Sequence, residues 1–121
     1  MIQFSQGETI KLQVPFSNED GSPVDFSTAT SIRAYFVIKE VIASKFQDAT
    51  LESPISGYGS IVQVDAYTLE FDITNEISKA LPVGNITISV GTIFPTGKEE
   101  YLKEDAATVT KGYVLRQESY T

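Results

Sequence analysis

The strongest constraint on this chain is a period of two. Between Thr9 and Phe16, residues Ile10, Leu12, Val14 and Phe16 fall on one side, and Thr9, Lys11 and Gln13 on the other. That is the pattern of a strand with one buried face. It returns from Ser31 to Glu40, where Ile32, Ala34, Phe36 and Ile38 point one way and Arg33, Tyr35, Val37 and Lys39 the other. It returns again at Tyr67, Leu69, Phe71 and Ile73, which alternate with Glu70 and Asp72, and at Ile86, Ile88 and Val90, in a strand running to Phe94. A side-chain period of two cannot cover a core from a helix, so the pattern predicts an all-β chain.

The stretches between these runs carry turn chemistry. Asn18-Glu19-Asp20-Gly21-Ser22-Pro23 supplies an Asp-Gly step and a proline, residues that accept positive φ or preset φ. Val24 and Phe26 beyond it are expected to tuck onto the core edge, with a tight turn at Ser27-Thr28-Ala29-Thr30. Ala43 to Phe46 reads as a short partner strand, and residues 47–60 as a loop punctuated by Pro54, Gly57 and Gly59. Ile61 to Val64, a turn at Asp65-Ala66 and the strand from Tyr67 make a hairpin. The one helical signal is Thr74 to Leu81, capped by Thr74, ended by Pro82 and presenting Ile77, Ala80 and Leu81 on one face. Pro95-Thr96-Gly97-Lys98 turns the chain into a return strand at Glu99 to Lys103, and a last strand follows from Ala107 to Leu115. About seven or eight short strands at this spacing favour an antiparallel β-sandwich over a parallel α/β sheet. The 121 residues suit one domain, over residues 1–115, with a tail over 116–121.

Two absences exclude much chemistry. There is no cysteine and no histidine. Zinc sites built from Cys and His are therefore out, as are Ser-His-Asp and Cys-His catalysis. No side chain has an ordinary pKa near neutrality, so acid–base work would need a strongly shifted carboxylate or lysine. No phosphate loop or metal-ligand cluster appears. The expectation is a non-enzymatic chain with no catalytic residue, no cofactor and no metal. Sixteen acidic against nine basic residues give a net charge of −7, which repels phosphate backbones and anionic membranes and keeps copies soluble. The N-terminus lacks a basic segment followed by an apolar run, and no stretch approaches the roughly 18 apolar residues of a membrane helix.

Weaker constellations have simpler readings. Asn18-Glu19-Asp20-Gly21 with Asp25 offers oxygen ligands for calcium, but EF-hand spacing would place Phe16 at the first ligand position, and a solvated turn accounts for it. Glu70 and Asp72 share a strand face like a glycosidase pair, and outward charge on an amphipathic strand accounts for them too. Asn85-Ile86-Thr87 matches a glycosylation sequon by chance. Tyr35, Tyr58, Tyr101 and Tyr113 fall on no clear core face, which makes them candidates for stacking on sugars or anchoring a partner.

Read in order, the turn motifs form a larger pattern. Gln6-Gly7-Glu8-Thr9 precedes the first strand, Asp20-Gly21-Ser22-Pro23-Val24-Asp25-Phe26-Ser27-Thr28-Ala29-Thr30 precedes the Ser31 strand, and Leu81-Pro82-Val83-Gly84-Asn85 follows the helix. This resembles the small Ig-like β-sandwich modules of tailed-phage virion proteins, notably the N-terminal domain of the upper baseplate protein family. Those show QGDT, DG.PVDLSGAT and LPAGTY at the corresponding places. Here Phe26-Ser27-Thr28-Ala29-Thr30 replaces Leu-Ser-Gly-Ala-Thr, and Asn85 stands where Thr-Tyr is common. The resemblance implies an Ig-like sandwich and a structural role in a virion: head decoration, head-fibre base, or baseplate or tail adaptor. Partners would be capsid, connector, fibre or baseplate subunits, with the chain present in many copies or as a homo-oligomer, made in the bacterial host cytoplasm and binding neither nucleic acid nor membrane. Such a chain would dock by surface complementarity or edge-strand pairing, with Tyr35, Val37, Tyr113, Leu115 and Tyr120 as interface residues. The alternative is a carbohydrate-binding module for host attachment, with Tyr58 and Tyr101 as stacking residues.

Overall fold

A computed structural model describes residues 2–18, 20–93 and 99–110. Among these described residues, eight strands and one short helix follow in the order β1 (Ile2–Ser5), β2 (Ile10–Pro15), β3 (Ser31–Ile38), β4 (Val41–Gln47), β5 (Gly59–Gln63), β6 (Thr68–Ile73), α1 (Asn75–Ala80), β7 (Gly84–Ile93) and β8 (Glu99–Thr110). The all-β architecture predicted from the alternation is the one observed. The strands form one continuous ladder, β1-β8-β7-β3-β4-β5-β6-β2. It folds over at β4–β5, where only Phe46 with Gly59 and Gln47 with Ser60 are paired. That narrow joint brings β2, β6 and β5 against β3, β4 and β7.

The joint is filled by aromatic rings. Phe36 of β3, Phe46 of β4 and Phe71 of β6 form a triangle with centroids 4.4, 5.3 and 5.4 Å apart, in tilted and edge-on orientations. Those are the geometries that ring quadrupoles favour. Phe16 and Phe26 make a second edge-on pair at 5.8 Å. All five rings are fully buried, each contributing about 1.5–3 kcal/mol of transfer free energy. The predicted inward residues of β2 and β3 line the same core, along with Val24, Ile61, Leu69, Ile73, Ile86, Ile88 and Val90.

Several local expectations hold in detail. Gly21 sits at φ +87° in a turn closed by its N–H to the Asn18 carbonyl and by the Asn18 N–H to Ser22. Thr74 caps α1, its hydroxyl accepting from the Ile77 N–H. Leu81 is extended, as a residue before proline should be.

Other expectations are corrected. Two of the pairings are parallel, β1 with β8 and β4 with β5, so the ladder is not wholly antiparallel. The return strand and the described part of the final strand are one element, β8, whose pairing to β7 shifts register between Ile86 and Thr87, a bulge that lets one strand run through both segments. Tyr67 is exposed rather than inward, because Asp65 accepts the N–H groups of Tyr67 and Thr68 and holds Tyr67 in the turn before β6. On α1 the inner position belongs to Ser78, not Ala80. The Ser78 hydroxyl accepts from the Gly7 N–H at 2.9 Å and donates to the Glu8 carbonyl at 2.6 Å. This docks the helix on the corner between β1 and β2, and it satisfies backbone groups that the bend leaves out of the ladder. Residues 94–98 and 111–121, which include the expected turn at Pro95 and the tail, lie outside the described residues.

Candidate functional site

The outward face of β7, β3 and β4 is where polar and aromatic side chains gather. Arg33 lies between Gly91 on β7 and Gln47 on β4, and Tyr35 between Ser89 and Lys45. Gly91 carries no side chain, which leaves a depression of about 240 Å³ bordered by Arg33, Tyr35, Glu52 and Ile93. Arg33 and Glu52 meet through two parallel bonds, Nε to Oε1 at 2.9 Å and Nη2 to Oε2 at 3.1 Å, and Ser31 adds a third contact to Oε1. A planar fork matched to a carboxylate in this way is held more firmly than a lysine pair would be. The hydrogen bond from Arg33 holds the Glu52 carboxyl below its ordinary pKa, and the same bond raises Arg33.

Glu52 is placed by the loop expected from the sequence, but through anchors that the sequence does not announce. Gln47 is buried at the end of β4. Its amide donates to the Ser53 carbonyl at 2.8 Å, and its oxygen accepts from the Ile55 N–H at 2.8 Å. Asp48, also buried, accepts from the N–H and hydroxyl of Thr50. One strand end thus pins residues 48–55 against the sheet, saturating polar groups that burial would otherwise make costly.

The loop delivers Tyr58. Gly57 reaches φ +85°, a backbone region that side chains disfavour. Gly59 needs to be glycine for a different reason: a Cβ there would come within 2.6 Å of the Phe46 ring. Between them Tyr58 lies half-buried, with Lys45 Nζ 5.8 Å from its ring centroid, inside the range of a weak cation–π contact. The tyrosine borders two depressions, of about 340 and 360 Å³. Both are bordered by Ser44, Gly57 and Tyr58, and the second extends to Asp72, Thr74 and Glu76.

Of the residues singled out from sequence, Tyr35 and Val37 are both half-exposed on this face of β3, two residues apart. Tyr113, Leu115 and Tyr120 lie outside the described residues. Tyr58 joins the face, while Tyr101 is placed only by its backbone pairing with Gly91. Arg33, Glu52, Lys45 and Gln47 were not foreseen. The signal for Arg33 was present, an arginine on the outward side of a strand, but nothing in the local pattern selects its partner 19 residues away.

The other sequence candidates resolve into structural roles. Asp20 Oδ1 accepts from the N–H and hydroxyl of Ser22, and Asp25 Oδ1 does the same with Ser27. These bonds lower both carboxyl pKa values and turn the oxygens towards the chain itself. Among the described residues no group of three or more carboxylates could hold a metal ion. Glu70 accepts from Gln13, its partner across the β2–β6 pair. No described helix is long and apolar enough to cross a membrane. No protein-family model matches the chain, and no curated protein matches it significantly.

Proposed function

We propose that this chain is a non-enzymatic structural subunit of a bacteriophage particle, a head decoration, head-fibre base, or baseplate or tail adaptor, present in many copies and docking to neighbouring virion proteins. The observation that carries the reading is the meeting of the motifs on which the resemblance rests. Gln6, from the first motif, donates its side-chain amide to the Leu81 carbonyl of the last at 2.8 Å. Gly7 and Glu8 bond to Ser78 just before it. Motifs 75 residues apart in the chain thus build one corner of the fold, the kind of shared framework that a module family would keep.

The edges of the ladder favour docking by a face over docking by strand addition. The Phe16 N–H bonds to Tyr67, so alternation leaves only the backbone groups of Lys11, Gln13 and Pro15 facing away from β6. Pro15 has no donor, and the segment after it is occupied by the bridge from Ser17 to Pro23. At the other edge β1 is only four residues long. Short edges carrying lysine and proline are how sheets avoid adding strands. The docking face is then the outward side of β3, with Tyr35 and Val37. Mass spectrometry of purified phage particles tests the reading: the polypeptide is expected at a fixed stoichiometry to the major capsid protein, and its absence from intact particles would rule the reading out.

A further inference from the structure

We propose that the groove bordered by Tyr58 is a binding subsite for a neutral sugar ring. The inference does not rest on the virion reading. A pyranose has an apolar C–H face and a rim of hydroxyl groups, so it needs an aromatic surface beside fixed hydrogen-bonding partners. The groove supplies both. Tyr58 borders two depressions of about 340 and 360 Å³, which share Ser44, Gly57 and Tyr58 in their linings. The Tyr58 backbone is set by its two neighbours, Gly57 at φ +85° and Gly59 packed so closely on the Phe46 ring that a Cβ would come within 2.6 Å of it.

The polar partners have the right chemistry. Asp72 is half-exposed on β6 and Glu76 is exposed on α1, and both border the second depression. Each carboxylate offers two acceptor oxygens to adjacent hydroxyls, and Ser44 and Ser60 add groups that both donate and accept. The competing ligand classes fit less well. Across the two depressions Asp72 and Glu76 outnumber the one cation, Lys45, which disfavours a phosphate or another anion. A purely apolar ligand would strand them. A calcium ion wants six to eight oxygens, and two carboxylates on separate elements fall short of that.

The test is a titration of the isotope-labelled full chain with glucose, galactose, N-acetylglucosamine and rhamnose, each taken separately to millimolar concentrations and followed by amide chemical shifts. At least one sugar is expected to shift the amides of Ser44, of residues 57–60 and of residues 72–77 saturably. Tyr58→Ala is expected to weaken binding by about tenfold or more, and Tyr58→Phe to retain it within about threefold, because stacking needs the ring rather than the hydroxyl. Asp72→Asn is expected to weaken binding without altering thermal unfolding, which keeps the test independent of how Tyr58→Ala folds. Saturable shifts from none of the four sugars would overturn the proposal. So would shifts confined to another surface, wild-type affinity in both Tyr58→Ala and Asp72→Asn, or the same amides responding to calcium chloride and not to sugar.

Discussion

Tyr35 and Phe36 are chain neighbours on β3, as Lys45 and Phe46 are on β4, yet each pair straddles the sheet. Phe36 and Phe46 are fully buried in the aromatic joint. Tyr35 and Lys45 lie opposite each other on the outward face, among an ion pair and a half-exposed tyrosine. The inner side is fixed by shape, since rings at 4.4 to 5.4 Å leave no slack. The outer side is fixed by hydrogen bonds that water can replace at small cost. A chain with this division can vary its outward chemistry while its frame stays constant, which suits a module that works by presenting a surface.

The comparison is broken most violently from inside. Phe46→Ala removes the ring shared by Phe36 and Phe71 at the only place where β4 meets β5. It is expected to cost about 3–5 kcal/mol, read as a lowered midpoint in chemical denaturation. Tyr35→Ala, one strand over on the other face, is expected to stay within about 0.5 kcal/mol. Equal losses from the two would mean that the two faces are not energetically distinct.

Gly59→Ala probes the same joint from the opposite strand. Its new methyl would meet Phe46 ring carbons at 2.6 and 2.7 Å, and that ring has no free direction in which to retreat. The expected loss is about 1–3 kcal/mol of overpacking strain, visible in thermal unfolding. Gly21→Ala is the useful contrast, because nothing lies within 4 Å of its Cβ position and only the positive φ opposes it.

Much of the inner face was legible from sequence, and little of the outer one. The alternation around Ile32, Ala34, Phe36 and Ile38 fixes which side is buried, because a half-buried strand needs one apolar row. It does not reveal β1, whose four residues are too few to show a period and whose parallel partner is about a hundred residues away. Nor does it reveal Gln47 and Asp48. Two buried polar residues at a strand end read as the start of a loop, and only the positions of their acceptors show them to be its anchor. Sequence placed Tyr35 and Val37 on the outward face through the period alone, whereas the Arg33–Glu52 pair depends on a loop conformation that no local pattern encodes.

Gln47→Ala sits between the two faces and should behave accordingly. It leaves the Ser53 carbonyl and the Ile55 N–H without their partners, at an expected cost of about 1–2 kcal/mol, since the freed loop can turn towards water. The more telling readout is hydrogen exchange. Amides of residues 50–58 are expected to lose protection while those of β3 and β7 keep theirs. Uniform loss of protection would instead show that the loop and the sheet open as one unit.

The smallest effect comes from the outermost contact, and its sign follows from the direction of the shift. Glu52 has a folded-state pKa below its ordinary value, chiefly because Arg33 donates to it, with Gln47 and Ser31 contributing. A depressed carboxyl favours the folded state at pH values above its unfolded pKa, and that contribution disappears as pH falls through the folded pKa. Asp20 and Asp25 are shifted the same way by Ser22 and Ser27, so all three steepen the acid limb of the stability curve together. Glu52→Gln removes one of them. At neutral pH it is expected to cost no more than about 1 kcal/mol, because the Arg33 side chain is 41% exposed and solvent screens the pair. Below the ordinary carboxylate range the variant and wild-type curves should converge, since protonation has by then undone the same bond in both. Denaturation midpoints measured from neutral pH down to the acid transition read this directly. Parallel curves over the whole range would show that the Arg33–Glu52 fork is not formed in solution, and that the outward face is less ordered than the ring triangle beneath it by more than exposure alone accounts for.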